Sequence, residues 1–144
     1  SAMGAVERLI NMGVEPYLIT ASVVAVLAQR LVRQLCAECK APLTEVQARM
    51  AASTLGQPLI EGATLYRPVG CAACRNTGYR GRLAIHELLQ MTDDVKQQVL
   101  AHGTALHPVH GAYVAGNLLH DGATKVFSGL TTAEEVLRVA RQND

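Results

Sequence analysis

A mainly α fold, carrying one small irregular module with little β structure, is what this sequence predicts. Three observations lead there. Hydrophobic residues make up 49% of the 144 residues but aromatics only 3%, so the core must be aliphatic and alanine-rich, which suits packed helices. Apolar residues recur at helical spacing in several stretches, each bounded by capping residues or glycine. All four cysteines fall in two C-x-x-C couples, Cys36-Ala-Glu-Cys39 and Cys71-Ala-Ala-Cys74. The chain divides accordingly into residues 1–3, which read as a cloning remnant, a helical region 4–35, a cysteine module 36–82 and a helical C-terminal domain 83–144.

Residues 4–12 form a short helix with Val6, Leu9 and Ile10 on one face, and Gly13 ends it. Pro16 suits the first turn of a second helix, where its missing N–H costs nothing. From Tyr17 to about Leu35 the pattern reads as one long helix. Val24, Leu27, Leu31 and Leu35 make its apolar stripe, and Arg30, Arg33 and Gln34 fall on another face. Thr44-Glu45-Val46-Gln47 has the form of a capping box, which predicts a helix over about 45–54 inside the cysteine module. Pro58, Gly62 and Pro68 interrupt the next stretch, which predicts a short strand or irregular loop. Asn76-Thr77-Gly78 is a turn signal. Weak alternation over Arg82–Leu89 predicts a strand. Thr92 caps a helix with Asp93 and Asp94 in its first turn, ending at Gly103. Pro108 opens a further helix that Gly116 interrupts, and 118–128 is another, stopped by Gly129. Thr131-Thr132-Ala133-Glu134-Glu135 offers two overlapping capping boxes for a last helix through Arg141.

The paired couples point to a metal. Each C-x-x-C turn aims two sulfurs at one point, and two turns supply the four tetrahedral ligands of Zn²⁺ with no open position. Cys36, Cys39, Cys71 and Cys74 are therefore expected to hold a structural zinc. Four ionised thiols leave that centre at −2, and Lys40, Arg75, Arg80 and Arg82 lie close by in sequence to offset it. No signal peptide precedes the couples, which speaks against disulfides. Neither couple sits on the βαβ pattern that a thioredoxin-like redox role requires.

A net charge of +1 argues against a dedicated nucleic-acid surface. The longest apolar run, Tyr17–Ala28, is too short to cross a bilayer. The chain reads as soluble and intracellular. There is no Gly-x-x-x-x-Gly-Lys-Ser/Thr loop and no acidic residue closing a hydrophobic strand, so nothing here can cradle or hydrolyse a nucleoside triphosphate. His107 and His110 are spaced as on one helical turn, but with no further ligand nearby they read as exposed or capping residues. His86 has the same status, and no catalytic residue is assigned.

Four segments together resemble one family: Gly-Val-Glu-Pro-Tyr-Leu (13–18), Leu-Ala-Gln-Arg-Leu-Val-Arg-Gln-Leu-Cys (27–36), Gly-Cys-Ala-Ala-Cys-Arg-Asn-Thr-Gly-Tyr-Arg-Gly-Arg (70–82) and Ile-His-Glu-Leu-Leu (85–89). They look like the secretion and pilus-assembly ATPases, namely the type II secretion ATPase and its relative, the type IV pilus extension ATPase. The tail over 121–139 fits the same family, whereas 105–119 matches it only loosely. The resemblance implies a homohexameric ATPase at the cytoplasmic face of a bacterial inner membrane, using ATP and Mg²⁺ in a RecA-like core upstream of this chain. Residues 4–35 would then end that core. Its motor would act through an integral membrane platform protein, with Arg30, Arg33, Arg80 and Arg82 available to meet the core or a neighbouring subunit. The Ile-His-Glu-Leu-Leu segment leans toward the secretion branch, with the pilus branch as the alternative. Two rivals remain. A DnaJ-type cysteine-rich domain needs four couples rather than two. A stand-alone zinc-ribbon adaptor or nucleic-acid binder would use Arg75, Tyr79, Arg80 and Arg82.

Overall fold

The computed structural model describes residues 1–103, 106, 107, 109, 111–114 and 116–140. In chain order the elements are α1 (Ala2–Asn11), α2 (Pro16–Ser22), β1 (Ala25–Leu35), β2 (Ala41–Pro42), α3 (Glu45–Thr54), β3 (Tyr66–Arg67), a 3-10 turn (Ala72–Cys74), β4 (Tyr79–Gln90), α4 (Asp93–His102), β5 (Tyr113–Val114), α5 (Leu118–Phe127) and α6 (Ala133–Ala140). β1, β4 and β5 form one sheet in the order β1-β4-β5, with Leu88 opposite Val114 and Leu89 opposite Tyr113 in its antiparallel β4–β5 pair. β2 and β3 make a separate antiparallel pair.

The mainly α expectation is overturned: among the described residues six helices accompany a sheet built on two long strands, so the fold is α/β. The error lies in the long helix read over 17–35. The helix stops at Ser22, and after Val23 and Val24 the eleven residues Ala25–Leu35 are the strand β1. Leu27, Leu31 and Leu35 are spaced by four, and four is even. They therefore share one face of a strand as readily as one face of a helix. Burial tells the two apart. Along β1 exposed and part-buried residues alternate up to Leu31, and Val24, Leu27 and Leu31 are 81%, 59% and 44% exposed, not a buried stripe. The strand expected over Arg82–Leu89 is present and longer, from Tyr79 to Gln90. The helix expected after Pro108 is replaced by β5 at Tyr113–Val114, while Pro108 itself lies outside the described residues, as does Arg141 beyond α6.

The local signals held where a side chain closes a helix start. Thr44 accepts from the Gln47 N–H while Gln47 Oε1 accepts from the Thr44 N–H, a complete capping box for α3. Thr92 accepts from the Val95 N–H at the start of α4. At α6 the cap is Thr132, whose hydroxyl accepts from the Glu135 N–H at 3.3 Å.

The chain folds as two compact units. One comprises residues 1–29 and 86–118. Its core joins Ala2, Met3 and Val6 of α1 to Ile19, Leu89, Val95 and Val99. Ser1 caps α1 by accepting from the Gly4 N–H. Glu87, only 4% exposed, accepts from the Ala2 N–H at 2.6 Å and from the Leu118 N–H at 3.2 Å. One carboxylate thus satisfies unpaired donors at two helix starts, where negative charge is favoured.

The second unit comprises, among the described residues, 30–85 and 119–140. Leu55, Leu65, Ile85, Val126 and Val136 are among its fully buried side chains. α5 and α6 approach closely at Gly122, where an added Cβ would lie 2.4 Å from Cγ1 of Val136. Val136 is β-branched and fully buried, so it has little room to turn away. Gly122→Ala should therefore destabilise by about 1–2 kcal/mol, the overlap outweighing the helix-propensity gain of about 1 kcal/mol. The check is a urea midpoint that falls at unchanged slope. A midpoint equal to the parent's would show that the two helices spread apart freely.

Candidate metal centre

The two couples are built from different local structures. Cys36 directly follows β1, and the turn to Cys39 closes when the Lys40 N–H donates to the Cys36 carbonyl at 3.0 Å. Cys71 and Cys74 bracket the 3-10 turn. The chain then passes through two successive left-handed residues, Arg75 (φ 54°) and Asn76 (φ 62°). That conformation is uncommon for Arg, and it brings the Asn76 N–H within 2.8 Å of the Cys71 carbonyl. Gly78 ends the loop at φ 77°, where a Cβ would stand 2.4 Å from Cβ of Pro68. The couples are joined directly as well: the Cys36 N–H donates to the Gly78 carbonyl at 3.0 Å.

The four sulfurs converge. They all lie within 4.8 Å of one another, with Cys36–Cys71 at 3.9 Å, Cys39–Cys74 at 3.8 Å and Cys71–Cys74 at 3.8 Å. A disulfide would need about 2.05 Å, so these are free thiols. Zinc–sulfur bonds of about 2.3 Å at tetrahedral angles separate sulfurs by about 3.8 Å. The donor set and its spacing therefore fit a tetrahedral thiolate metal, and the cluster could hold one.

Backbone N–H groups, not the nearby cations, face the sulfurs. Gly70 donates to Sγ of Cys39 at 3.3 Å, and Cys71 and Gly78 each donate to Sγ of Cys74 at 3.2 Å. Burial opposes ionisation of Cys74, but those two N–H groups and the neighbouring sulfurs overcome it and hold the thiol down to about 6. The single N–H from Gly70 favours the Cys39 thiolate, but burial and three surrounding sulfurs outweigh it and push that thiol up to about 11.

The basic residues expected around the centre are elsewhere engaged or exposed. Lys40 donates to the Gly129 carbonyl at 2.8 Å and sits 4.2 Å from the Tyr66 ring centroid. Arg80 pairs with Glu38 at 3.4 Å, with both side chains about two-thirds exposed. Arg75 and Arg82 are exposed. Arg30 is half-buried in β1. Arg33 is committed: its Nε and Nη2 donate to Oε1 of Glu135 at 3.0 and 2.7 Å, and its guanidinium lies 4.2 Å over the Tyr79 ring. His86 and His107 are exposed and apart from the sulfurs, and His110 lies outside the described residues.

Sequence reasoning missed Glu135 altogether, reading it only as part of a cap. It is 2% exposed and accepts from the Arg33 N–H at 2.9 Å, from the Arg33 side chain and from Arg138. Burial opposes its ionisation; the two guanidinium groups and the Arg33 N–H prevail and hold its carboxyl down to about 2. That hydrogen bond in turn raises Arg33. Tyr79, raised by burial, shares a 3.0 Å hydrogen bond with the Thr132 hydroxyl. No local pattern announces contacts between residues 102 positions apart.

Among the described residues no helix is long and apolar enough to cross a membrane. The chain matches the family described as "Type II/IV secretion system protein" over residues 1–138. It is 42% identical to "Type II secretion system protein E" of Aeromonas hydrophila and 43% identical to "Type II secretion system ATPase E" of Vibrio cholerae, each across 99% of this chain and 28% of the relative. It is 41% identical to "Type IV pilus assembly ATPase PilB" of Thermus thermophilus, across 94% of this chain and 16% of that protein. The chain thus spans under a third of the length of the curated relatives it matches. A family match over residues 1–138, nearly all of the sequence, makes this chain a member of the type II/IV secretion system protein family.

Proposed function

We propose that this chain is the C-terminal part of a hexameric ATPase that powers type II secretion from the cytoplasmic face of the inner membrane, and that Cys36, Cys39, Cys71 and Cys74 bind a structural Zn²⁺. The observation that carries the first reading is the 42–43% identity to the secretion ATPases across 99% of the chain. The convergence of the sulfurs supports the second. Bound zinc would supply four strong bonds that fix the couples and no catalysis, since a tetrathiolate shell leaves no open position. The cradle N–H groups of Gly70, Cys71 and Gly78 would share the thiolate charge.

ATP and Mg²⁺ would bind outside these residues, because the sequence holds no phosphate loop. This region would relay the motor's movement. Its partners would be the rest of the ATPase, neighbouring subunits of the homohexamer and a membrane platform protein. Arg30, Arg33, Arg80 and Arg82 are proposed to lie at those contacts; Arg33 would do so with the half-exposed side of a guanidinium already held by Glu135. The pilus-assembly role is the second reading, favoured by an identity of 41–42% to two PilB proteins. The nucleic-acid alternative loses its aromatic platform, because the Tyr79 ring is covered by Arg33.

The test compares this chain with the longer polypeptide that contains it. The longer protein should hydrolyse ATP, the 144-residue chain should not, and disrupting the gene should stop exoprotein release while leaving pili. Arg30→Ala and Arg82→Ala in the longer protein should slow hydrolysis without loss of folded material. Turnover by the short chain would expose a missed site. Lost pili with normal exoprotein release would move the protein to the pilus branch. Wild-type turnover in both variants would remove those arginines from the contacts.

A further inference from the structure

We infer that the cysteine centre is tied to the turn between α5 and α6, so that a metal held by the four sulfurs orders the start of α6. This inference rests on the zinc reading above. The residues flanking the first couple grip two successive carbonyls of that turn. Leu35, just before Cys36, donates its N–H to the Leu130 carbonyl at 2.9 Å. Lys40, just after Cys39, donates Nζ to the Gly129 carbonyl at 2.8 Å. The Thr131 hydroxyl adds a 2.7 Å bond to the Arg33 carbonyl.

The second couple reaches the same place. Gly78 donates to Sγ of Cys74, and its neighbour Tyr79 meets the hydroxyl of Thr132, the residue that caps α6. The turn itself has no slack on one side. Gly129 stands at φ 72°, and a Cβ there would lie 2.9 Å from the Tyr66 ring, the ring that also carries the Lys40 ammonium. The turn is therefore held between the flanks of one couple and the exit of the other.

What holds the couples decides what holds the turn. Thiols are weak donors and weak acceptors, so four sulfurs near 3.8 Å attract one another little by themselves, and ionised they repel. Four metal–sulfur bonds replace that weak set. The order they impose passes to residues 129–132 through Leu35, Lys40 and Tyr79, and from there to the first turn of α6.

Amide hydrogen exchange on this chain tests the coupling, with zinc content measured on the same samples. Removing zinc with a chelator should speed exchange at residues 130–136 at least tenfold and leave the α1 and α4 amides unchanged. Lys40→Met, which removes no sulfur, should keep one zinc per chain and still speed exchange at 130–136 several-fold. If zinc leaves and 130–136 stay protected, the coupling is overturned; the same holds if Lys40→Met is as protected as the parent. A chain that never takes up zinc overturns the coupling together with the zinc reading, and the metal analysis identifies that case.

Discussion

Cys71→Ser should abolish stoichiometric zinc and unfold the cysteine module, the largest loss expected of any single substitution here. The parent should carry one zinc per chain; the variant should carry substantially less. Apparent zinc binding in small thiolate modules is worth about 10–16 kcal/mol near neutral pH, and where the site forms only in the folded state that energy is folding energy. The module has few substitutes for it. β2 and β3 are two residues each, and the 3-10 turn is three. Residues 75 and 76 sit in the left-handed region and would relax if the sulfurs were released. Gly78→Ala should mimic part of the loss with all four thiols intact, because its Cβ would displace Pro68 and with it the N–H aimed at Cys74. Metal analysis, thiol titration and thermal melting check this together. A metal-free chain with four reactive thiols and an unchanged melting temperature would remove the structural-zinc reading.

What the sequence reveals depends on the range of the interaction. The cysteine couples announce themselves because a C-x-x-C turn is local, and the convergence of two such turns is what a shared ion would require. Thr44, Thr92 and Thr132 are legible for the same reason: a cap is settled within three or four residues. β1 was misread because its apolar residues recur at a spacing of four, which both periods allow. Only the partner strand β4, far away in sequence at Tyr79–Gln90, decides between them. Glu87 lies within a recognisable segment, yet nothing local in the sequence reveals its task. Its two donors, Ala2 and Leu118, lie 85 and 31 positions away. Arg33 was placed on a helix face and read as available, whereas a carboxylate from the last helix holds it.

Glu135 is where that distance matters most for stability. Its carboxylate is 3% exposed and meets Arg33 at 2.7 Å, Arg138 at 2.9 Å and the Arg33 N–H. Glu135→Ala removes all of these and leaves the Arg33 N–H without its acceptor. Breaking a buried ion pair costs about 3–5 kcal/mol, but both guanidinium groups are 52% exposed and can turn to water. A loss of about 2–3 kcal/mol is therefore expected. Glu135→Gln keeps an oxygen for the N–H and should lose less. The pH dependence follows from the direction of the shift. The carboxyl is held down to about 2 from an ordinary value of 4.5, so the unfolded chain takes up this proton first as pH falls. The stabilisation is complete above about pH 4.5 and disappears progressively as pH drops toward 2. Urea melts across that window should show a steep acid limb in the parent and a shallower one in Glu135→Gln. Parallel limbs in the two proteins would mean that another carboxylate governs acid unfolding and that the Arg33–Glu135–Arg138 cluster contributes little.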